Sequence, residues 1–324
     1  MRRVVAVLGA VLMVIVAFLV RGVIDGDDDS GNDGSRGDGG SDGEVTLLCA
    51  DELEGVCDAL VAAGAIAGFD SEPAGETVDR MVIQGADLGA DGWLTLDSFP
   101  QQVDVVRELN TDNSIFGEPT ATDHSTGLAI VAASDRGEAL SNDCGDVDWN
   151  CLQPIGGDAW SDHEGEASWG AIKLGYDAPD TSATGLLVLT QAMAGHAGRT
   201  DFAAQDIDRR WLADLENAVP TRPTTTVLDT LVLQGAAAFG AVGALDNAAQ
   251  DAAGSRDLEI FYPAPMFRAE VVLAAVGGDP DGLLDEDDLD DALSALDWEA
   301  GQDADPLPSA GALVALRRAW EEAR

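Results

Sequence analysis

The chain has 324 residues, enough for one large or two medium domains, and 46% of them are hydrophobic, which excludes global disorder. Acidic residues outnumber basic ones 60 to 17, the formal charge is -43, and Lys173 is the single lysine. Such a surface excludes nucleic acid as a partner, because phosphate binding needs clustered Lys and Arg. The acidity is spread along the whole chain, so it reads as a solvated surface suited to high salt or a cation-rich exterior.

Val4 to Val20 is an almost unbroken apolar run behind Arg2 and Arg3. Residues 1–24 are therefore expected to be an uncleaved signal anchor, with the N-terminus in the cytoplasm and the rest of the chain outside, at the cell membrane. Cleavage of the segment as a signal peptide, with secretion, is the alternative. No cysteine follows the run, so a lipoprotein anchor is excluded. Residues 25–44 are almost all Asp, Gly and Ser and read as an acidic, flexible linker.

Cys49, Cys57, Cys144 and Cys151 all lie beyond the apolar run. In an oxidising exterior they should pair. Three connectivities are open; Cys49–Cys57 with Cys144–Cys151 is preferred, because each pair staples a short loop. The spacings C-x7-C and C-x6-C match no zinc knuckle, so no metal site is expected there.

In chain order, Val45–Cys49 reads as a strand, Asp51–Gly64 as a helix, Ile66–Glu72 as a strand and Glu76–Gly85 as a helix. Gly92–Leu96 follows as a strand, then a loop and a helix. This alternation predicts a parallel sheet covered by helices, with ligands at the strand ends Ala50–Glu52 and Asp97–Phe99. Leu128–Ala133 is a further strand, entered through a loop at Asp123–Gly127. The acidic stretch from Asn142 to Glu166 reads as loop with short helical pieces, and Trp149 and Trp160 within it could flank a cleft. Later segments predict helices at Asp206–Ala218 and Val227–Gln234, strands at Ala237–Leu245 and Leu258–Tyr262, a helix at Met266–Val276, and two C-terminal helices.

The stretch LGYDAPDTSATGLLVLTQ, Leu174 to Gln191, reads as a strand end, a Pro-Asp turn and a helix. Thr181, Ser182 and Thr184 cluster at the helix start. Hydroxyl groups beside free backbone N–H groups and the positive helix end can seat an oxyanion; they can equally form an ordinary cap.

No H-E-x-x-H and no G-x-S-x-G occurs, and carboxylate pairs mean little in so acidic a chain, so no catalytic residue is assigned and an enzyme is not expected. Of His124, His163 and His196, His124 is weighed as a ligand contact and read as a surface-loop histidine, and His163 in SDHEGE is weighed as a metal ligand and set aside as a solvated loop. The aspartates from Asp279 to Asp288 only partly match a calcium loop and read better as helix caps. No cofactor is expected.

Five segments together resemble the extracellular solute-binding proteins of ABC transporters, with the type II periplasmic-binding-protein fold. They are VTLLCADELEGVCDAL, RMVIQGADLGADGWLTLDSF, STGLAIVAAS, IKLGYDAPDTSATGLLVL and LEIFYPAPMFRAEVVLAAV, in that order. The resemblance implies an α/β chain of two lobes, each a mostly parallel sheet flanked by helices. Residues 45–124 would begin lobe 1, 125–257 would form lobe 2, and 258–324 would return to lobe 1 with the C-terminal helices.

By the same resemblance the lobes would close on a small molecule or ion, for transfer to an ABC permease. A monomer is expected. The implied ligand contacts are Asp51 and Glu52 after the first strand, Ser98, Ser125 and Thr126 at the crossing, Thr181, Ser182 and Thr184, and Asp246 and Tyr262. Asp51 and Glu52 depart from the hydroxyl residue usual in oxyanion binders, and two carboxylates would repel an oxyanion. This admits a cation-bearing or metal-complexed ligand. A cell-surface sensor or interaction protein that keeps the fold without transport is the alternative function.

Overall fold

The computed structural model of the protein describes residues 45–324, with 221, 279 and 302–304 excepted. The expected signal anchor and linker lie outside the described residues. Among the described residues no helix is long and apolar enough to cross a membrane.

The first half of the chain alternates as its hydrophobic pattern dictates. Strand β1 (Thr46–Ala50) has four buried residues of five, and a 3-10 turn at Asp51–Leu53 passes it into helix α1 (Glu54–Ala63). Gly64 closes α1 at a φ of 80°, a left-handed cap that glycine adopts without a Cβ clash. Next come β2 (Gly68–Glu72), α2 (Ala74–Gln84), β3 (Gly92–Leu96), α3 (Phe99–Leu109) and the long strand β4 (Thr120–Ala133). Beyond it lie α4 (Ser134–Cys144), α5 (Trp149–Ile155), β5 (Leu174–Gly175), α6 (Ala183–Ala197), α7 (Arg209–Asn217), α8 (Val227–Gln234), β6 (Ala241–Leu245) and α9 (Asp246–Ser255). The chain ends with β7 (Leu258–Phe261), β8 (Arg268–Ala274), α10 (Glu286–Ser294), β9 (Glu299–Ala300) and α11 (Ala310–Ala323).

The strands run in the order β2-β1-β3-β8-β4-β6-β5, with β7 and β9 also paired to β4. Strand β4 belongs to two half-sheets. Its N-terminal part pairs β8 and β9, and residues from Leu128 onward pair β6 and β7. A register shift between Ala121 and Ser125, with Asp123 at a φ of 57°, bends the strand as it passes from one half to the other. Beyond the bend its side chains alternate between two cores. Leu128, Ile130 and Ala132 join the main cluster, while Ala129 and Val131 pack with Val227, Leu231, Phe239 and Val242.

Several expectations need correction. Met266–Val276 is not helical; most of it is β8, antiparallel to both β3 and β4. The run Val271, Val272, Leu273 is apolar on consecutive positions because a central strand is buried on both faces, which hides its period. With β8 in place the sheet is mixed, not mostly parallel: of the described pairings three are parallel and five antiparallel. Strand β7 pairs with Ile130–Ala133 in the second half-sheet, so the chain returns to the first half after Phe261 and not at Leu258. The Asp123–Gly127 stretch is strand, not loop, and His124 within it is buried, with Nδ1 3.0 Å from the Thr122 carbonyl and Nε2 3.3 Å from Ser294 Oγ.

Trp149 and Trp160 are core residues and not cleft walls. Trp149 packs edge-on against Tyr176, and Trp160 against Trp169, with the Arg136 guanidinium 3.3 Å from the Trp169 ring centroid. His163 meets Asp143 at 2.8 Å and Asp158 at 3.3 Å, and not its sequence neighbours. Burial opposes its charge, but the bonds from Asp143 and Asp158 outweigh burial and hold its pKa above the ordinary imidazole value. Asp285 caps α10 by accepting from Asp287 N, as a helix-capping aspartate should. The disulfides are Cys49–Cys57 and Cys144–Cys151, with Cα separations of 6.7 and 5.8 Å.

Helix α11 packs against α3 of the first half and against α6 and α7 of the second. A buried carboxylate fixes this contact. Glu216 on α7 accepts from Tyr176 Oη, from Trp320 Nε1 on α11 at 2.8 Å, and from both Nη atoms of Arg222 at 3.0 and 2.8 Å. Burial, followed by the neighbouring Glu216 charge, pushes the Tyr176 hydroxyl well above its ordinary pKa, so it stays a donor. Removing Glu216 leaves Arg222 in a partly buried site without its hydrogen-bonded carboxylate. Glu216→Ala is expected to lower unfolding free energy by about 3 kcal/mol, read from urea melts monitored by tryptophan fluorescence.

Candidate functional site

The cleft between the two halves is built from strand ends and helix starts. Strand β1 delivers Asp51 and Glu52, and β5 delivers Asp177 and the turn that opens α6. With Glu76 of α2 and with Arg222, Thr225, Thr226 and Asp229 around the start of α8, these residues line a cavity of about 540 Å³. A second cavity, of about 490 Å³, lies beside it, with Val56, Leu228, Leu245, Leu296 and Trp298 in its wall. The two share Glu52, Asp177, Thr184 and Thr226.

The centre of the cleft is occupied by the protein itself. Glu52 Oε1 accepts from the Thr184 backbone N–H at 2.9 Å, from Thr184 Oγ1 at 3.2 Å and from Ser182 Oγ at 3.3 Å. Ser182 is the N-cap of α6, its hydroxyl oxygen accepting from Gly185 N at 3.0 Å. The carboxylate thus sits where the helix dipole and the free first-turn N–H groups favour negative charge. Its second oxygen, Oε2, is buried and has no hydrogen-bond partner.

A seam runs beside this contact. Gly75 N–H at the start of α2 donates to the Thr181 carbonyl at 2.8 Å. Arg317 of α11 reaches both Asp79 Oδ2, at 2.6 Å, and the Asp180 carbonyl, at 2.7 Å. Only glycine allows this approach: a Cβ on residue 75 would stand 2.3 Å from the Asp180 carbonyl oxygen. Further along α6, Gln191 donates to the carbonyls of Pro263 and Pro265, at 3.2 and 3.0 Å, and so holds the segment by which the chain returns to the first half.

Asp177 is the most perturbed carboxyl in the cleft. Burial pushes its pKa up to about 6, and the nearby Glu52 and Asp229 charges add to this against a bond from Val227 N at 2.8 Å. The Arg222 charge opposes this rise only weakly, its terminal nitrogens being engaged by Glu216.

Of the ten residues singled out in the sequence, Asp51, Glu52, Thr181, Ser182 and Thr184 meet in the 540 Å³ cavity. The other five lie elsewhere. Ser98 and Ser125 line a separate cavity of about 530 Å³ with Asp97, Asp123, Arg268 and Glu270, where Ser125 Oγ accepts from Arg268 Nε at 2.8 Å. Thr126 is buried and accepts from Asn247 N at 3.0 Å at the start of α9. Asp246 accepts from Tyr262 Oη at 3.0 Å beside a pocket of about 200 Å³. They separate because β4 bends between them and because β7 pairs with the second half-sheet. Asp177 and Thr226 were missed. Asp177 stood in the same YDAPDTSATG stretch, and its signal was a carboxylate at the carboxyl end of a strand.

No known protein family matches this sequence and no curated protein matches it. Solved structures do match over most of the chain. The periplasmic binding protein AfuA from Actinobacillus pleuropneumoniae, with fructose-6-phosphate bound, superposes at a TM-score of 0.59 with 11% identity, covering 87% of this chain and 98% of that one. Iron-bound HitA from Pseudomonas aeruginosa gives 0.55 at 14% identity, over 86% and 98%. A periplasmic thiamin binding protein gives 0.52 at 14%, over 86% and 95%. The chain has the type II periplasmic-binding-protein fold.

Two outcomes are expected from this geometry. Gly75→Ala should cost about 1–3 kcal/mol in a denaturant melt, because backbone must move to admit the methyl. The second concerns pH. Asp177 is neutral in folded and unfolded chains below its unfolded pKa of about 3.8, and burial penalises only the ionised form. Its cost therefore grows as pH rises from about 3.8 to about 6 and is constant above that. Asp177→Asn should leave stability unchanged at pH 3 and raise it by about 2 kcal/mol at pH 8, in paired melts.

Proposed function

We propose that the protein is an extracellular solute-binding protein that captures a small ligand between two lobes and delivers it to an ABC-type permease. The observation that carries this reading is the cleft: two adjoining cavities, each walled by residues from both half-sheets, at the ends of β1 and β5 and the starts of α6 and α8. Cavities of this size suit small molecules. The fold is shared by binding proteins for fructose-6-phosphate, thiamin and iron, and their diversity leaves the ligand here to its own side chains.

In this reading residues 45–124 and 262–324 form the first lobe and 125–261 the second. Strand β4 and the segment around Pro263–Pro265 are the two hinge strands, and Asp51, Glu52, Thr181, Ser182 and Thr184 face the ligand. Ser98, Ser125, Thr126, Asp246 and Tyr262 serve the hinge side of the molecule. The N-terminal segment tethers the domain outside the cell membrane or is cleaved to release it. The protein binds and releases without chemistry and works as a monomer. A second reading, a surface sensor or interaction protein with fixed lobes, draws on the seam of Gly75, Thr181, Arg317 and Asp180, which hydrogen-bonds the halves directly to each other.

The test is a panel of oxyanions, amino acids, amines, sugars and metal complexes on residues 44–324, at low and high salt. A true ligand at a hundred times its dissociation constant adds about 2.7 kcal/mol to stability. It should also shrink the radius of gyration in X-ray scattering. Stabilisation without a change of shape supports the fixed-lobe sensor, and no stabilisation at either salt refutes solute capture.

A further inference from the structure

We propose that the Glu52 carboxylate is a resident occupant of the anion seat at the start of α6, and that it makes the cleft a site for solutes bearing an ammonium- or guanidinium-like group instead of an oxyanion. The second half of this proposal rests on the solute-binding reading; the first does not.

The seat is a working anion site by its contents. One carboxylate oxygen from the first half of the molecule takes three donors from the second: a backbone N–H and two hydroxyls, at 2.9 to 3.3 Å. These are the donor types a sulfate or phosphate group would use at a helix start. The neighbouring helix starts are served in the same way. At α8 the Val227 N–H is taken by Asp177, and at α2 the Gly75 N–H is taken by the Thr181 carbonyl. Three helix N-termini converge on the cavity, and each of these donors already holds an oxygen of the protein.

What is left over is mostly acceptor, the buried Nε of Arg222 being an unpartnered donor. Glu52 Oε2 is buried with no donor, a costly state that an N–H of a cationic ligand would relieve. Asp51, Glu76, Asp177 and Asp229 stand round the same cavity, and Arg222 is committed to Glu216. An oxyanion entering here must expel Glu52 and then sit among carboxylates. A cation meets a ready set of acceptors and needs nothing moved. The adjoining cavity, with Leu228, Leu245 and Leu296 in its wall, can receive an apolar body attached to the charged group.

The experiment uses sulfate as the probe of the seat, in calorimetric titrations at constant ionic strength. Wild type should show no sulfate binding, and Glu52→Ala should bind sulfate at least about tenfold more tightly. Adding Ser182→Ala and Thr184→Val to Glu52→Ala should remove that gain. If Glu52→Ala does not fold, Glu52→Gln replaces it, and a smaller gain of the same sign is expected. Equal sulfate affinity in wild type and variant, or a gain that survives loss of both hydroxyls, overturns the assignment of the seat.

The ligand class is read separately, from thermal shifts of the wild type with butylammonium, butylguanidinium and butyrate. A shift with either cation that falls at least tenfold in apparent affinity in Glu52→Gln supports the proposal, and a shift with butyrate alone overturns it. If all three are silent while the sulfate gain is present, the cationic-ligand half of the proposal fails and the Glu52 seat stands.

Discussion

A single strand carries the architecture. Strand β4 is 14 residues long and, among the described residues, is the strand shared by both half-sheets, with a register shift near Asp123 before it crosses. Its first part is held by β8 and its second by β6 and β7, and consecutive residues beyond the bend feed two different cores. Backbone pairing on both edges leaves β4 no free register. The half-sheets are thereby aimed so that the ends of β1 and β5 face each other. The cleft is a consequence of that aim.

Into this cleft the fold places a carboxylate on a helix start. The interaction is short-ranged, charge-assisted and made between halves. It also explains an apparent conflict in the sequence. Hydroxyl residues at the head of α6 argue for an anion, while Asp51 and Glu52 after β1 argue against one. The structure resolves the two signals by joining them: the anion on the α6 seat is Glu52. The same economy recurs at α8, where Asp177 is held partly buried at the cost of a raised pKa.

Much of the local structure was legible. The strand at Gly92–Leu96 and the helix at Val227–Gln234 appear with the expected bounds, and the cysteine pairs close as their spacing suggested. Strand β8 was not legible. Its apolar run reads equally as buried helix or buried strand, and only its partners β3 and β4, far away in sequence, decide between them. The site divided in the same manner. Residues near one another in sequence, Thr181 with Ser182 and Thr184, stayed together, while Ser98, Ser125, Asp246 and Tyr262 scattered over other cavities.

By itself the sequence determined the elements of high local signal: strand and helix alternation, the capped start of α6, the disulfide loops and an acidic surface that repels nucleic acid. Those depend on side-chain periodicity and short-range hydrogen bonding, which a few neighbouring residues specify. Only the tertiary structure decided that the sheet is mixed, that β7 belongs with the second half, and that Glu52 meets Thr184 across 132 positions of chain. Each of these is a contact between segments remote in sequence. Such contacts are selected by the global packing of two half-sheets on a shared strand, and no local pattern encodes them.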